Sequence, residues 1–368
     1  MVARRTWLRG ICFIAVTCAT LAAALPGPAA AVDRGAPSVN VVASGLNSPR
    51  GLAMSHGALL VAEAGKGGHG ACRPGALGRT CFGLTGAMTH LVNGVPNRLV
   101  DLPSLASRDG SAAFGPHDVG FGSDGAMYGT IGLAYPPEVR ASFGPRARLL
   151  GHLVRIDGSG GVQDVADLAA YEAKHDPDGL GAESDPYGLL LEKGHSIVTD
   201  AAANDLLKVT NSGHVSTLAV FPNRMVDFRG GQIPMQAVPT SVVRGPDGAL
   251  YVSELTGFPF PKGGARVLRV VPGQRPRVYA RGFTNIIDIA FDDDGNLYVV
   301  EIAHNGLRAD APYGELLRVS PSGDTTVVLG KDANLFFPTS VLLEGNGNML
   351  LTNCGVCPGG GEVLEVTP

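Results

Sequence analysis

One unit recurs six times in this 368-residue chain, and no other feature limits its fold as tightly. Each copy opens on a short apolar segment: Pro49-Arg-Gly-Leu, Pro116-His-Asp-Val, Pro186-Tyr-Gly-Leu, Pro239-Thr-Ser-Val, Ile286-Ile-Asp-Ile and Pro338-Thr-Ser-Val, spaced by 67, 70, 53, 47 and 52 residues. A polar turn follows, containing Gly57, Gly125, Gly194, Gly248, Gly295 or Gly347, and then an apolar run such as Ala249-Leu-Tyr-Val-Ser. Glycine takes positive φ without steric cost, so this pattern predicts two strands joined by a hairpin. Third strands are expected at 87–92, 151–157, 205–210, 266–271, 315–320 and 362–367, and fourth strands at 97–102, 162–168, 214–221, 277–283 and 324–329. The sixth copy lacks a fourth strand, while an orphan strand, Val39-Asn-Val-Val-Ala, precedes the first copy. A ring resolves both facts. The expected fold is all-β, a six-bladed β-propeller over 33–368 in which the N-terminal strand completes the last blade and hides both edges. Two β-sandwiches, the competing arrangement, explain neither the count nor the orphan strand.

Composition narrows the function. Glycine (52 residues) is abundant and charged residues are only 17%, yet apolar residues reach 45% with no Gly-x-y period, which excludes collagen-like and disordered chains. The net charge of −4 offers no basic surplus for nucleic acid. Residues 1–31 read as a signal peptide: Arg4, Arg5 and Arg9, an apolar stretch from Ile11 to Leu25, then Ala29-Ala-Ala. The Arg4-Arg5 pair also resembles a twin-arginine signal, so either that route or the Sec route would deliver a secreted or periplasmic protein. Neither Cys12 nor Cys18 sits in a lipoprotein box, and no later segment is apolar enough to span a membrane. A monomer is expected. Cleavage would remove Trp7, the sole tryptophan.

The long insertions are second-to-third-strand loops (64–86, 132–150, 255–265, 302–314, 354–361) and blade connections (169–186, 222–238), all of which open on one face of a propeller. That face is the expected binding surface, with Phe258, Phe260, Tyr135 and Phe143 as aromatic contacts. After cleavage four cysteines remain, Cys72, Cys81, Cys354 and Cys357, an even number that reads as disulfides in an exported chain. The pairing Cys72–Cys81 with Cys354–Cys357 is favoured over crossed pairs or a four-thiolate zinc site.

Two sets of residues should meet at the central channel. The position six after each turn glycine gives Glu63, Ile131, Asp200, Glu254, Glu301 and Asn353, and the starts of the first strands give Arg50, His117, Asp118, Tyr187, Thr240, Ser241, Asp288, Thr339 and Ser340. Carboxylates converging there could hold Ca²⁺ or another divalent ion, with Glu63, Asp200, Glu254 and Glu301 as ligands. His117, Asp118 and Asp288 are the candidates for acid–base work, and Arg50, Tyr187, Asp200, Glu254, Asn285 and Glu301 join Phe258 and Phe260 as ligand-binding candidates. The stretch from Lys174 to Pro186 carries four acids but lacks the EF-hand ladder, and so reads as a solvated loop. No nucleophile elbow, Walker loop, dinucleotide fingerprint or His-Glu-x-x-His motif is present.

Several stretches, among them Gly115-Pro-His-Asp-Val119, Val165-Ala-Asp-Leu-Ala-Ala-Tyr-Glu172, Glu254-Leu-Thr-Gly-Phe-Pro-Phe260 and Asn353-Cys-Gly-Val-Cys-Pro358, resemble the ScyD/ScyE family of exported propellers related to NHL and TolB-like repeats. The resemblance implies a six-bladed extracytoplasmic fold and brings no assigned reaction. Two functions then compete: a module binding a small molecule or a partner protein on the long-loop face, and a lactonase-like hydrolase or quinone-dependent oxidoreductase using a channel metal or cofactor. A carboxylate-rich quinone would call for clustered basic residues, and only Arg50 stands near the channel.

Overall fold

The computed structural model describes residues 37–367 except 76 and 77; segment 1–31, expected from the sequence to be a signal peptide, lies outside the described residues. Six antiparallel sheets follow the six copies in order. Blade one pairs Pro49–Ser55, Ala58–Glu63, Gly78–Val92 and Val95–Ala106; blade two, Pro116–Phe121, Met127–Ile131, His152–Ile156 and Val162–Asp167; blade three, Pro186–Glu192, His195–Asp200, Asp205–Thr210 and Val215–Val220. Blade four pairs Pro239–Arg244, Leu250–Glu254, Ala265–Val270 and Arg277–Phe283; blade five, Ile286–Phe291, Leu297–Glu301, Glu315–Val319 and Thr325–Leu329. Blade six takes Ser340–Leu343, Met349–Asn353 and Pro358–Thr367 from the C-terminal repeat and its outer strand, Ser38–Asn47, from the N-terminal side, in register from Ser38 opposite Thr367.

All six turn glycines have positive φ, between 74° and 91°, as the hairpins require. Apolar residues from facing blades fill each of the six interfaces. The cluster that closes the ring joins Leu46 and Val363 of blade six to Leu52, Val61 and Leu91 of blade one. Burial of this kind, at ~25 cal/mol per Å² of apolar surface, drives closure.

Three segments expected as loops contain regular structure. In 222–238, Arg224–Phe228 and Gly231–Met235 form a hairpin around Arg229-Gly230, both at positive φ. In 169–186, Leu168–His175 is a helix whose N-cap, Asp167, accepts the Ala170 N–H at 2.9 Å. In 64–86, Cys72–Gly75 pairs with the start of a long third strand, and the Cys72–Cys81 disulfide locks that register. The sulfurs of Cys354 and Cys357 also lie next to each other, in the 354–361 loop. No described helix is long and apolar enough to cross a membrane.

Candidate functional site

Each first strand except that of blade six carries an irregularity just after its opening residue. A bulge leaves a backbone N–H without a ladder partner. A hydroxyl at the penultimate position of the second strand accepts it in three blades: Thr130 from Asp118 N–H (3.1 Å), Thr199 from Gly188 N–H (2.8 Å) and Ser253 from Ser241 N–H (3.0 Å). The residue after that hydroxyl is the one placed six beyond the turn glycine. It too serves the backbone: Glu63 accepts the Asn47 N–H (2.6 Å), Asp200 that of Asp185 (2.6 Å), Glu301 that of Thr284 (2.6 Å) and Asn353 that of Phe336 (2.9 Å). Glu254 instead takes two ion pairs, Arg224 at 3.1 Å and Arg266 at 2.6 Å, which clamp the extra hairpin to blade four.

Glu63, Asp200, Glu254 and Glu301 therefore do not assemble the expected channel metal site. Among the described residues, the groups of three or more potential ligands are Glu301–His304–Glu315 and Glu172–Asp176–Asp178, neither of which is that set. In four of the six blades the residue at this position satisfies a backbone N–H of the connector that leads into its own blade, which accounts for the recurrence of Glu63, Asp200, Glu301 and Asn353 at the repeat spacing.

The channel itself is lined one layer deeper by Gly51, Asp118, Gly188, Ser241, Asp288 and Ser340, the third residue of each opening segment. Asp288 accepts four hydrogen bonds, from Ser241 Oγ (2.7 Å), Ser340 Oγ (2.9 Å), Ile289 N–H (2.9 Å) and Val341 N–H (2.9 Å), and so ties blades four, five and six together. Asp118 takes the Leu189 N–H of blade three (2.7 Å) and the Val119 N–H (2.8 Å). Burial and the Asp288 charge push the Asp118 carboxyl up to about 8. Glycine at 51 makes room for it: a Cβ there would overlap the Asp118 carboxylate and lie 2.8 Å from its Cα, a clash no side-chain rotation relieves. Gly51→Ala is expected to cost about 1–3 kcal/mol, read as a lower urea midpoint with an unchanged slope.

No hydrogen bond joins His117 to Asp118. The bulge turns the imidazole toward blade three, where Nδ1 lies 3.2 Å from the Pro186 carbonyl and 3.7 Å from Asp185 Oδ1, with the Tyr187 ring at 4.4 Å. His117 is buried; that burial, with the Arg50 guanidinium, drives its pKa down to about 3, so the ring is neutral. Arg50 donates to the backbone carbonyls of Gly355 and, at 3.3 Å, Ala113, joining loops of blades six and one. Asn285, fully buried, donates to the Leu255 carbonyl at 3.0 Å and so positions the 255–265 loop.

On the long-loop face lies a cavity of about 400 Å³. Phe114, Tyr135, Val238, Leu255, Phe258 and Phe260 give it apolar walls, and Thr80, Glu183, Asp185, Gln236 and Thr256 are its polar points. Phe258 is 45% exposed, stands 5.0 Å from Phe228 of the extra hairpin, and has the Arg308 guanidinium 5.5 Å from its ring centroid. Phe143 is not a wall; it packs behind Tyr135 at 5.9 Å. A more open depression of about 520 Å³ on blade two, around Arg140, Arg148 and His152, lacks aromatic walls.

Phe258 and Phe260, named from the sequence, line this cavity together with Asp185 and Thr256, which were not named as contacts. Asp185 is 8% exposed rather than solvated, because Pro186 starts the first strand and the residue before it faces the channel mouth. Extending the first-strand rule back by one residue would have found it. Thr256 has φ of 74° and a fully buried hydroxyl without a partner, which only the folded loop reveals.

The fold defines the chain as a six-bladed β-propeller. No protein-family model matches the sequence, and neither does any curated protein. Among solved structures, the chain is similar to a glucose dehydrogenase (14% identity, TM-score 0.55, 90% of this chain and 99% of that one). It is also similar to XC5397 from Xanthomonas campestris, described as a gluconolactonase important in glucose secondary metabolic pathways (10% identity, TM-score 0.54, 92% and 97%). At these identities the likeness is one of fold.

Proposed function

We propose that the protein is an exported binding module of the ScyD/ScyE kind, holding a small molecule of mixed aromatic and polar character in the loop-face cavity. The observation that carries this reading is the cavity's construction: six apolar or aromatic walls around a buried threonine hydroxyl with no partner and a buried carboxylate. Pockets of about 300–1,000 Å³ built this way take small ligands, the apolar walls supplying affinity and the few polar groups orientation. Export agrees with the Cys72–Cys81 disulfide and with the basic–apolar–alanine start of the chain. The hydrolase or oxidoreductase reading has less support, because the acids that would bind a metal or move a proton are occupied by backbone N–H groups, serine hydroxyls or arginines.

The test exploits the absence of tryptophan after residue 7. Phe258→Trp would place one indole at the cavity rim, and its emission should change as an aromatic probe such as N-phenyl-1-naphthylamine is titrated in. In the Phe258→Trp background, adding Phe260→Ala is expected to weaken binding about tenfold, equivalent to ~1.4 kcal/mol. Equal probe affinity with and without Phe260→Ala and Leu255→Ala would remove the cavity from the account.

A further inference from the structure

The connector between blades two and three contains a second set of polar groups that the cavity does not use. Glu172, on the last turn of the Leu168–His175 helix, is 1% exposed, and neither of its carboxylate oxygens has a hydrogen-bond partner. One of those oxygens lies within 4.8 Å of carboxylate oxygens of both Asp176 and Asp178. Asp205, opening the third strand of blade three, is fully buried, and both its oxygens are likewise without partners. Burial and the charges of Asp200, Asp178 and Asp176 push the Glu172 carboxyl up to about 8; burial, Asp200, Glu172 and Asp178 push Asp205 well up.

Glu172, Asp176 and Asp178 thus face one another with the unpartnered Asp205 carboxylate buried on the adjoining strand, and none of the four forms an ion pair with any described Lys, Arg or His. The helix makes matters worse, since its C-terminal end carries partial negative charge. The ring of His175 is turned away, stacked 4.2 Å from Tyr171 with Nδ1 on the Tyr171 carbonyl at 2.9 Å. The two outer acids are partly satisfied: Asp178 accepts the Asn204 amide at 2.9 Å and the Leu180 N–H at 2.8 Å, and Asp176 accepts the Gly181 N–H at 3.1 Å.

We infer that Glu172, Asp176, Asp178 and Asp205 form a site for a hard divalent cation, with Ca²⁺ as its natural occupant. Burying carboxylates without a counter-charge costs several kcal/mol per group, and a cation among them removes that cost. An all-oxygen donor set with no His or Cys selects against zinc. Carboxylates drawn from a helix end, a connector and a strand give the irregular, multi-oxygen surrounding that Ca²⁺ accepts and Mg²⁺, which demands near-octahedral geometry, does not. The cation would fasten the connector to blade three, a few residues before Asp185 enters the cavity floor. Sequence spacing hides the site because Asp205 comes from another element and Glu172 precedes the acid-rich stretch.

The test uses the mature chain stripped with EGTA and then titrated calorimetrically with CaCl₂ or MgCl₂, with elemental analysis of the dialysed sample. One Ca²⁺ per chain is expected, bound at least tenfold more tightly than Mg²⁺, with a midpoint of thermal unfolding about 5 °C higher in 1 mM Ca²⁺ than in EGTA. Glu172→Gln and Asp205→Asn should abolish the shift. Asp178→Asn, at a half-buried position that tolerates the change, should weaken binding about tenfold, whereas Glu315→Gln in the other acidic group should not. No Ca²⁺ bound by the unaltered chain at 5 mM would overturn the inference, as would Ca²⁺ affinity unchanged in Asp178→Asn or lost in Glu315→Gln.

Discussion

A chain lacking Ser38–Asn47 is expected to lose its cooperative thermal transition and to elute as large assemblies rather than as a monomer. That strand is the outer member of blade six, and without it Pro358–Thr367 presents ten residues of unpaired backbone, a template for pairing with other chains. Its removal also opens the apolar cluster around Leu46, which is 1% exposed, and Ala43, which is 4% exposed. Leu46→Ala is the milder version of the same experiment. It keeps the ladder but leaves a void, and should lower stability by about 2–5 kcal/mol. Light scattering coupled to size exclusion separates the two outcomes: aggregation for the deletion, a monomer with a lowered unfolding midpoint for Leu46→Ala. A deletion that stays monomeric with an unchanged midpoint would mean the ring is closed by something other than this strand.

The second large effect is a dependence on pH. Asp118 has a folded-state pKa of about 8 against an ordinary 3.8, so the folded chain binds more protons than the unfolded one between those values. The stability this group contributes is complete below pH ~4 and is lost as pH rises through ~8. The interval, at ~1.4 kcal/mol per pH unit, sets a ceiling of ~5–6 kcal/mol. Asp118 keeps part of its surface open to the channel lumen, and water there lowers the figure. Asp118→Asn should therefore flatten the stability profile by about 2 kcal/mol between pH 4 and pH 8, measured as the difference between the two urea-unfolding curves. Asp185, Asp200 and Asp288 are all raised by burial and act in the same direction; together with Asp118 they outweigh His117, whose depressed pKa costs stability below about 6.5, so the unaltered protein should be more stable at pH 5 than at pH 8.

The propeller was legible because its determinants are local and repeated. The six glycines mark six turns wherever they fall, and the missing fourth strand matched the spare first one. Site chemistry was legible only in part. Period located the acids Glu63, Asp200 and Glu301, but it could not say that the neighbouring connector would deliver a backbone N–H to each. His117 and Asp118 look like partners in sequence, yet the bulge between them sends one to Pro186 and the other to Leu189. Glu172 and Asp205 lie 33 residues apart on different elements, and only the packing of a helix against blade three brings their charges together. Arg224–Met235 was the avoidable omission, since its alternating Arg-Met-Val-Asp-Phe run before Arg-Gly-Gly is itself a hairpin signature.

Pairing Ser38 with Thr367 also dictates an order of events. Synthesis delivers the first partner some 300 residues before the second, so blades one to five can assemble while the ring is still a horseshoe. Until the final strand emerges, Ser38–Asn47 has no ladder to join and two blade flanks stay wet. Closure is then a single late step between the chain's most distant segments, with the largest loop entropy in the molecule to overcome.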